Sequence, residues 1–527
     1  MSQSLNTQVL DNGNSFVYAS RNRNENHILR LGLNSRLGET QSAKDEETEK
    51  EPKSAKAKVA DSESKKVSTN KAETEKETPK GSTSKSDNNA KPEAEDNGEK
   101  AESESEADAK TTPPERYSAH VQVTGLGQGY PKFRALYSGP NSLAPPAGQA
   151  HATMTATGFF GLGLWDGGEA YLDPEIDQGF GLSDTHGVAG YPSAEAYKLG
   201  RAAPYMRFQR YFLRQMIGLG GESEQIDAGQ NQLAGKVDSN RLTFTIGKYG
   251  IVDIFDDNKY AHDGRNGFMN WSIIDMGAFD YAADAWGFTH GATVEWRRDW
   301  WTARVGVFQM PQIPNGEVIE PVVFRQFSPV VEFEARHSLV FGQQGKIKFL
   351  GFGDLAYAGK WDEAVNVALL IGSTPDVTQI RRKRLKAGGG VNVEQPLTDD
   401  LGFFLRASMA NGRYESLAFA EIERSLSAGV VLTGNQWGRP KDAVGVAGVI
   451  NGISGSHARY LGAGGLGPFL GDGKLSYDGE RILESYYKFN IMEGVHLTAD
   501  YQFVSNPGYN RDRGSVSLFA LRAHGEF

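Results

Sequence analysis

The sequence predicts an all-β fold: a transmembrane antiparallel β-barrel of about sixteen strands, with inward-folded loops and a disordered N-terminal extension. Three observations carry this. The chain closes on an alternating strand that ends at Phe527. From Tyr117 onward, short period-two runs recur between Gly, Pro, Asn and Asp turns. No uninterrupted apolar stretch reaches the roughly 18 residues a membrane helix needs, which excludes a helical span but not strands.

The last strand is the most informative element. From Phe519 its odd positions are Phe519, Leu521, Ala523, Gly525 and Phe527, and its even positions are Ala520, Arg522, His524 and Glu526. An Arg facing lipid near the midplane costs about 2–4 kcal/mol, so the Arg522 face belongs to the lumen. A one-residue slip would turn every polar group to lipid. The terminal aromatic, Phe527, is read as a C-terminal assembly signal.

The whole chain has 527 residues, a formal net charge of −10, 63 Gly and no Cys. The absence of Cys excludes disulfides, Cys-ligated metal and thiol nucleophiles. The acidic balance argues against nucleic acid as a partner. The start, MSQSLNTQVLDNGNSFVYAS, has no basic n-region followed by an apolar h-region; either the true start lies upstream, or this is a processed form, or the chain is not a membrane protein, and the rest of the sequence decides.

Composition divides the chain into three. Residues 1–37 are polar and receive no assignment. Residues 38–116 are dominated by Lys, Glu, Ser, Ala and Asp, too poor in large apolar groups to offset the entropy of ordering. They are expected to be a solvated, disordered tether, in preference to a peptidoglycan- or partner-binding arm. Residues 117–527 form the barrel. Candidate strands start near 118, 151, 168, 205, 241, 286, 300, 328, 346, 385, 401, 424, 442, 480, 493 and 515. Leu242, Phe244 and Ile246 alternate with Arg241, Thr243 and Thr245; Leu401, Phe403 and Leu405 alternate with Phe404 and Arg406. Pro174 makes the third strand the least secure, since Pro gives no ladder N–H.

Long stretches then match a known family. They are GLGLWDGGEAYL (161–172), QGFGLSDTHGVAGYPSAEAYKLG (178–200), RYFLRQMIGLGGE (210–222), LTFTIGKYGIVDIFDDNKYAHDGRNGFMNWS (242–272), GGLGPFLGDG (464–473) and the closing DYQFVSNPGYNRDRGSVSLFALRAHGEF. The region from Gly158 to Phe527 resembles the OprB-like carbohydrate-selective porins of Gram-negative bacteria. The resemblance implies an outer-membrane barrel that passes sugars by diffusion, with loops narrowing the pore. It implies carbohydrate as solute, with outer-membrane lipid, lipopolysaccharide and the barrel-assembly machinery as partners. It leaves monomer and homo-oligomer open, and it does not cover residues 1–116.

Sugar is held by aromatic faces and by charged or amide groups on its hydroxyls. Phe208, Arg210, Phe212 and Arg214 share one face by parity and form a candidate sugar slide, or else their arginines pair with an inward loop. Arg241, Arg406 and Arg522 are lumenal by parity, as are Glu484, Tyr486, Lys488, Asp500 and Gln502. Opposed charge rows of this kind orient polar solute, although each residue alone reads as a generic wall group. The Arg381-Arg382-Lys383-Arg384 cluster reads as a solvated loop end, ahead of a site for anionic solute or lipopolysaccharide phosphate.

No cofactor or metal is implied. Asp253 to Asn258 lacks the ligand spacing of a calcium loop and reads as part of an inward-folded segment. The glycines at 462–467 precede Pro468 and do not form a nucleotide loop. No catalytic motif appears, and the chain is read as a channel, not an enzyme. Two alternatives remain: a general or sugar-acid porin, and a secreted β-rich glycan-binding protein or polysaccharide-degrading enzyme.

Overall fold

The structure, a computed structural model, describes residues 115–196 and 200–527, together with the backbone of two short strands, Leu5–Val9 and Ser15–Ala19. Those two strands pair antiparallel. Otherwise the expectations for 1–37 and for the disordered tether lie outside the described residues.

Sixteen strands close into one barrel. They are β1 (Tyr117–Pro131), β2 (Gly148–Trp165), β3 (Gly168–Phe180), β4 (Gly200–Gly218), β5 (Arg241–Tyr249), β6 (Thr289–Arg297), β7 (Trp301–Gln309) and β8 (Phe327–Val340). They continue as β9 (Gln343–Ala358), β10 (Arg382–Pro396), β11 (Leu401–Ala410), β12 (Arg424–Gly434), β13 (Arg439–Gly452), β14 (Glu480–Met492), β15 (Val495–Ser505) and β16 (Gly514–Glu526). Each pairs antiparallel with its chain neighbour, and β16 closes on β1 from Phe519 opposite Gly129 to Glu526 opposite Gln122. Every expected strand start falls within five residues of an observed one.

Closure follows from the solvent. In hydrocarbon an open sheet edge would leave backbone groups unpaired, so only a helix or a closed sheet can span. Alternation then sorts the side chains. Val121, Met154, Phe160, Ile176, Ile246, Val305, Phe349, Leu426, Leu483, Phe519 and Leu521 are exposed on the outer face. Thr155, Glu175, Thr293, Glu332, Lys348, Arg406, Glu484 and Arg522 are buried on the inner face. Pro174 is accommodated because it lies on the outward row of β3 at a register shift against β4.

The two barrel ends differ. Connections at the end holding both chain termini of the barrel are short, as at 166–167, 298–300, 341–342 and 493–494, apart from one long segment, 219–240. Phe341 (φ 51°) and Gly342 (φ 72°) turn in the left-handed region, which suits a tight hairpin between right-twisted strands. At the opposite end the connections are long: 132–147, 181–199, 250–288, 310–326, 359–381, 411–423 and 453–479. Membrane barrels keep short turns in the periplasm and long loops outside. An aromatic rim of Tyr117, Trp165, Trp300, Phe341 and Phe527 is exposed at the short-turn end, where such residues sit at the membrane interface.

The lumen is packed. Segment 250–288 carries a short helix, α1 (Trp271–Ile274), started by Asn270, whose side chain accepts from Ser272 N–H. Its residues Phe255, Phe268, Trp271, Ile273, Met276 and Phe279 are fully buried inside the barrel. Tyr191, Phe419 and Phe469, from three other long loops, join Trp271 in one aromatic cluster.

Phe527 extends the last strand. Its N–H donates to Val121 O at 2.9 Å and its carbonyl accepts from Val121 N–H at 2.9 Å, so it completes the seam with β1. Deleting Phe527 removes this pair together with a rim aromatic. The deleted protein is expected to assemble several-fold less well, measured as the heat-modifiable band in the outer-membrane fraction. Equal assembly of the two proteins would refute a role in assembly.

Candidate functional site: a loop-constricted lumen

The constriction is segment 250–288 held against the wall from β8 round to β16. The wall supplies charge and the segment supplies backbone. Arg406 donates to Asp256 Oδ1 at 3.0 Å, Asp256 O at 2.9 Å and Ile273 O at 2.9 Å. Arg522 donates to Gly264 O at 2.7 Å and Gly267 O at 2.8 Å. Glu484 accepts from the Met269 and Asn270 N–H groups. Lys386 pairs with Asp280 at 3.0 Å. Asp280 in turn accepts from the N–H groups of Leu417, Ala418, Phe419 and Ala420, drawing in a second loop. A third is fixed by Glu480, which accepts from Ala189 and Gly190 N–H. These groups are buried, and a buried charge is tolerated only when paired and hydrogen-bonded.

The segment also reaches the wall at β3 and β4, through Arg265 and Asp253. There the inward rows carry opposite charges in register. Glu169, Asp173, Glu175 and Asp177 line β3; Arg207, Arg210 and Arg214 line β4. Arg207 pairs with Asp177 at 2.5 Å, and Arg214 with Glu169 at 3.4 Å. Arg210 joins Asp253 of the constriction at 2.7 Å and Asp173 at 3.6 Å. Arg265, on the constriction, reaches Glu195 at 2.7 Å and Glu175 at 2.9 Å. Arg304 holds Glu295, Glu332 and Glu334 at 2.9, 2.7 and 3.0 Å. Aromatic rings back these cations: Arg207 lies over Trp286, Arg210 over Phe288 and Arg214 over Tyr171. The lining therefore offers many donors and acceptors but little unpaired charge.

Parity puts most candidates on the inner face, and three of them lie on the inner wall in β4. Arg210 and Arg214 are partly exposed there, and Phe212 stacks on Tyr171 with centroids 4.9 Å apart. Phe208 is a correction. It is 47% exposed on the outer face, because a bulge at Gln209 puts Asp173 opposite Arg210 but Pro174 opposite Phe208 and reverses the parity below it. Arg406, Glu484, Tyr486, Asp500, Gln502 and Arg522 face inward but lie beneath the constriction, each at most 6% exposed. They anchor the segment, as Gln502 does by donating to Pro192 O and accepting from Asn270. Lys488 donates to Asn266 Oδ1 at 3.0 Å. Arg241 sits at the short-turn mouth, bound to Glu224. The β3 carboxylates, Arg265 and Arg304 escaped the sequence reading. The first were legible as the odd positions of EAYLDPEID, which Pro174 obscured.

The Arg381–Arg384 cluster is largely internal. Arg381 is bidentate to Glu415, and Arg382 and Arg384 share Glu363, while Lys383 lies on the outward row opposite Tyr357. The loops above the lumen are clamped at His457, in helix α2 (Gly455–Gly462), which Ser454 caps. Its ring stacks on Trp361 at 4.1 Å and lies 3.0 Å from Glu423 and 3.5 Å from Glu421.

An apolar belt outside a closed barrel and a polar, loop-narrowed passage within it define an outer-membrane channel of the porin class. The model of the OprB family, carbohydrate-selective porins, matches residues 151–527. This chain belongs to that family and is an outer-membrane carbohydrate porin. OprB of Pseudomonas putida, solved at high pH, superposes with a TM-score of 0.59 at 16% identity, over 78% of this chain and 94% of that one. OccK11 (OpdR) of Pseudomonas aeruginosa gives a TM-score of 0.40 at 9% identity, over 79% and 98% of the two chains. The DcaP outer-membrane channel of Acinetobacter baumannii gives 0.40 at 10% identity, over 78% and 97%. Comparison with curated protein sequences finds no match.

Two predictions follow from the anchoring. Arg522→Ala is expected to leave insertion intact and to raise single-channel conductance and its noise, because two carbonyls of the constriction lose their donor. Arg406→Ala strands Asp256, and losing one partner of a buried pair costs about 3–5 kcal/mol, so it is expected to loosen the segment further. Planar-bilayer recordings matching the parent would refute the anchoring role. The second prediction concerns pH. Burial opposes the charge of His457, but Glu423 and Glu421 outweigh it and hold its pKa up at about 9, against 6.5 when free. The clamp is therefore complete below the free value and is lost as pH rises through about 9. Loops 411–423 and 453–479 are expected to become protease-sensitive at alkaline pH, and His457→Ala should make them sensitive at neutral pH too.

Proposed function

We propose that neutral mono- and small oligosaccharides diffuse passively to the periplasm beside segment 250–288, along the charged inner wall that begins at β3 and β4. The observation that carries this is the pairing of the lining charges. Arg210 with Asp253, Arg265 with Glu175 and Arg304 with Glu332 present rows of N–H donors and carboxylate acceptors. A sugar hydroxyl is both donor and acceptor and can bridge such a pair without breaking it. An anion or cation must compete with the built-in partner of opposite sign, so the lining favours neutral polyols over ions. Contacts of this kind are individually weak and repeated, which lets solute enter and leave.

Arg210 and Arg214 keep their sequence-derived role as solute contacts, joined by Arg265 and Arg304. Arg406, Glu484, Tyr486, Asp500, Gln502 and Arg522 act through the constriction they hold. Lys383 on the outward row supports a contact with lipopolysaccharide phosphate at the membrane rim. No catalytic role is assigned to any residue. The apolar outer belt speaks against a secreted, soluble glycan-degrading protein.

The test is liposome swelling. Vesicles holding the protein should admit glucose faster than amino acids of equal size. Arg210→Ala should reduce that preference by about fivefold, the effect of losing one hydrogen bond of about 1 kcal/mol. Vesicles with inserted protein that stay sugar-tight would refute the reading, and an unchanged preference in Arg210→Ala would remove that residue from it.

A further inference from the structure

The segment 219–240 is out of character for its place. It joins β4 to β5 at the short-turn end, where the other connections have four residues or fewer. Its stem is a small antiparallel hairpin, Ser223–Ile226 with Gly235–Asp238. Glu224 fixes the stem at the mouth by pairing with Arg241 at 3.1 Å and Arg297 at 3.0 Å.

The tip turns back into the barrel. Leu233 is buried against the inward positions of Gly161 and Gly163 on β2, and a side chain at Gly161 would crowd it. Leu233 N–H donates to the Tyr171 hydroxyl at 3.2 Å. Gly229 and Gln232 exchange two backbone hydrogen bonds, of 3.0 and 3.1 Å, so the tip is a closed turn presenting Gln230 and Asn231. Asn231 takes the left-handed conformation at φ 56°, which Asn tolerates better than most residues. Arg214 donates to Asn231 O at 2.9 Å, and Asn231 Nδ2 donates to Asp173 Oδ2 at 2.9 Å. Gln230 donates to Gln122 Oε1 at 3.0 Å, and Gln122 is level in the sheet with Thr157 and Glu175. Glu175 is the partner of Arg265 on the constriction.

The tip and the constriction thus meet on β3. Asp173 is approached by Asn231 from the tip and by Arg210, which also holds Asp253 of the constriction. Three buried acceptors at this meeting point have no hydrogen-bond donor: Asp173 Oδ1, Asn231 Oδ1 and Gln209 Oε1. Asp173 is fully buried. Unmet acceptors beside the Arg214 guanidinium and the edge of Tyr171 match the hydroxyls of a polyol.

We propose that residues 227–234 form a second filter on the periplasmic side of the constriction. Asn231, Gln230 and Arg214 form its hydroxyl-binding subsite, with the buried Asp173 holding Asn231 in place, and a neutral sugar meets it after passing segment 250–288. The proposal rests on the carbohydrate-channel reading and adds a second, size-selecting station to it.

Two variants test it in the full chain. In the first, residues 227–234 are replaced by Asn-Gly on the existing stem. In the second, Gln230→Ala is combined with Asn231→Ala, which keeps the tip. Proteoliposome swelling is measured with glucose, sucrose and raffinose, and sugar block of single-channel current with sucrose added to either side. The shortened variant should raise the raffinose-to-glucose rate ratio by about fivefold. The double variant should weaken sucrose block from the short-turn side by about fivefold and leave block from the long-loop side unchanged. Parent-like ratios and parent-like block in proteins that pass glucose would overturn the filter alone. A parent that passes no sugar would overturn the channel reading and the filter with it. Should the shortened variant fail to insert, the double variant decides, since its side chains sit on a preserved turn.

Discussion

Charged side chains on the inner wall must be satisfied, and the loops folded into the barrel are what satisfies them. Arg406, Arg522, Lys386, Glu480 and Glu484 are each almost wholly buried. Left unpaired, any one of them would cost several kcal/mol. Each instead meets backbone carbonyls, backbone N–H groups or a carboxylate supplied by a loop. The dependence runs both ways. Segment 250–288 has little regular structure of its own, and much of its backbone polarity is met by wall side chains. Wall and constriction therefore form one polar core, with the aromatic cluster around Trp271 filling the space between loops.

The same rule gives a mixed result along β3 to β9. Arg207 and Arg304 are satisfied by carboxylates of the sheet, whereas Arg210 and Arg214 divide their bonds between strand carboxylates and the loops, at Asp253 and at Asn231 O. Parity alone does not separate these cases from the buried anchors. Arg522 and Arg210 are equally inward, but Arg522 is buried beneath the constriction and Arg210 is partly exposed.

The barrel was legible because lipid imposes a strict period of two on every strand. The outward Phe519 and Leu521 and the inward Arg522 follow directly from it. Phe208 was misplaced because a single extra residue in β4 shifts the phase, and nothing local in RFQRYF marks the bulge. The β3 carboxylates are readable in phase, and Pro174 leaves that phase intact because it lies outward at a register shift. The constriction contacts were out of reach. The wall side chains that donate to Asp256, Asn392 and Arg406, lie more than a hundred residues away on β10 and β11, and pairing at that range leaves no periodic trace.

The convergence on β3 has a geometric origin. β3 and β4 bear the inward charge rows, and each is continued by a long connection: β3 by 181–199 at one end and β4 by 219–240 at the other. A strand pair that sends one loop inward from each end must bring them together along its own face. Glu175 receives Arg265, which also binds Glu195 of 181–199, and Asp173 two residues away receives Asn231 of 219–240. Elements of both ends therefore meet within one short stretch of wall. The remaining strands need only keep their outward faces apolar and their inward faces satisfied, and Phe527 with its Val121 pair closes the last of them.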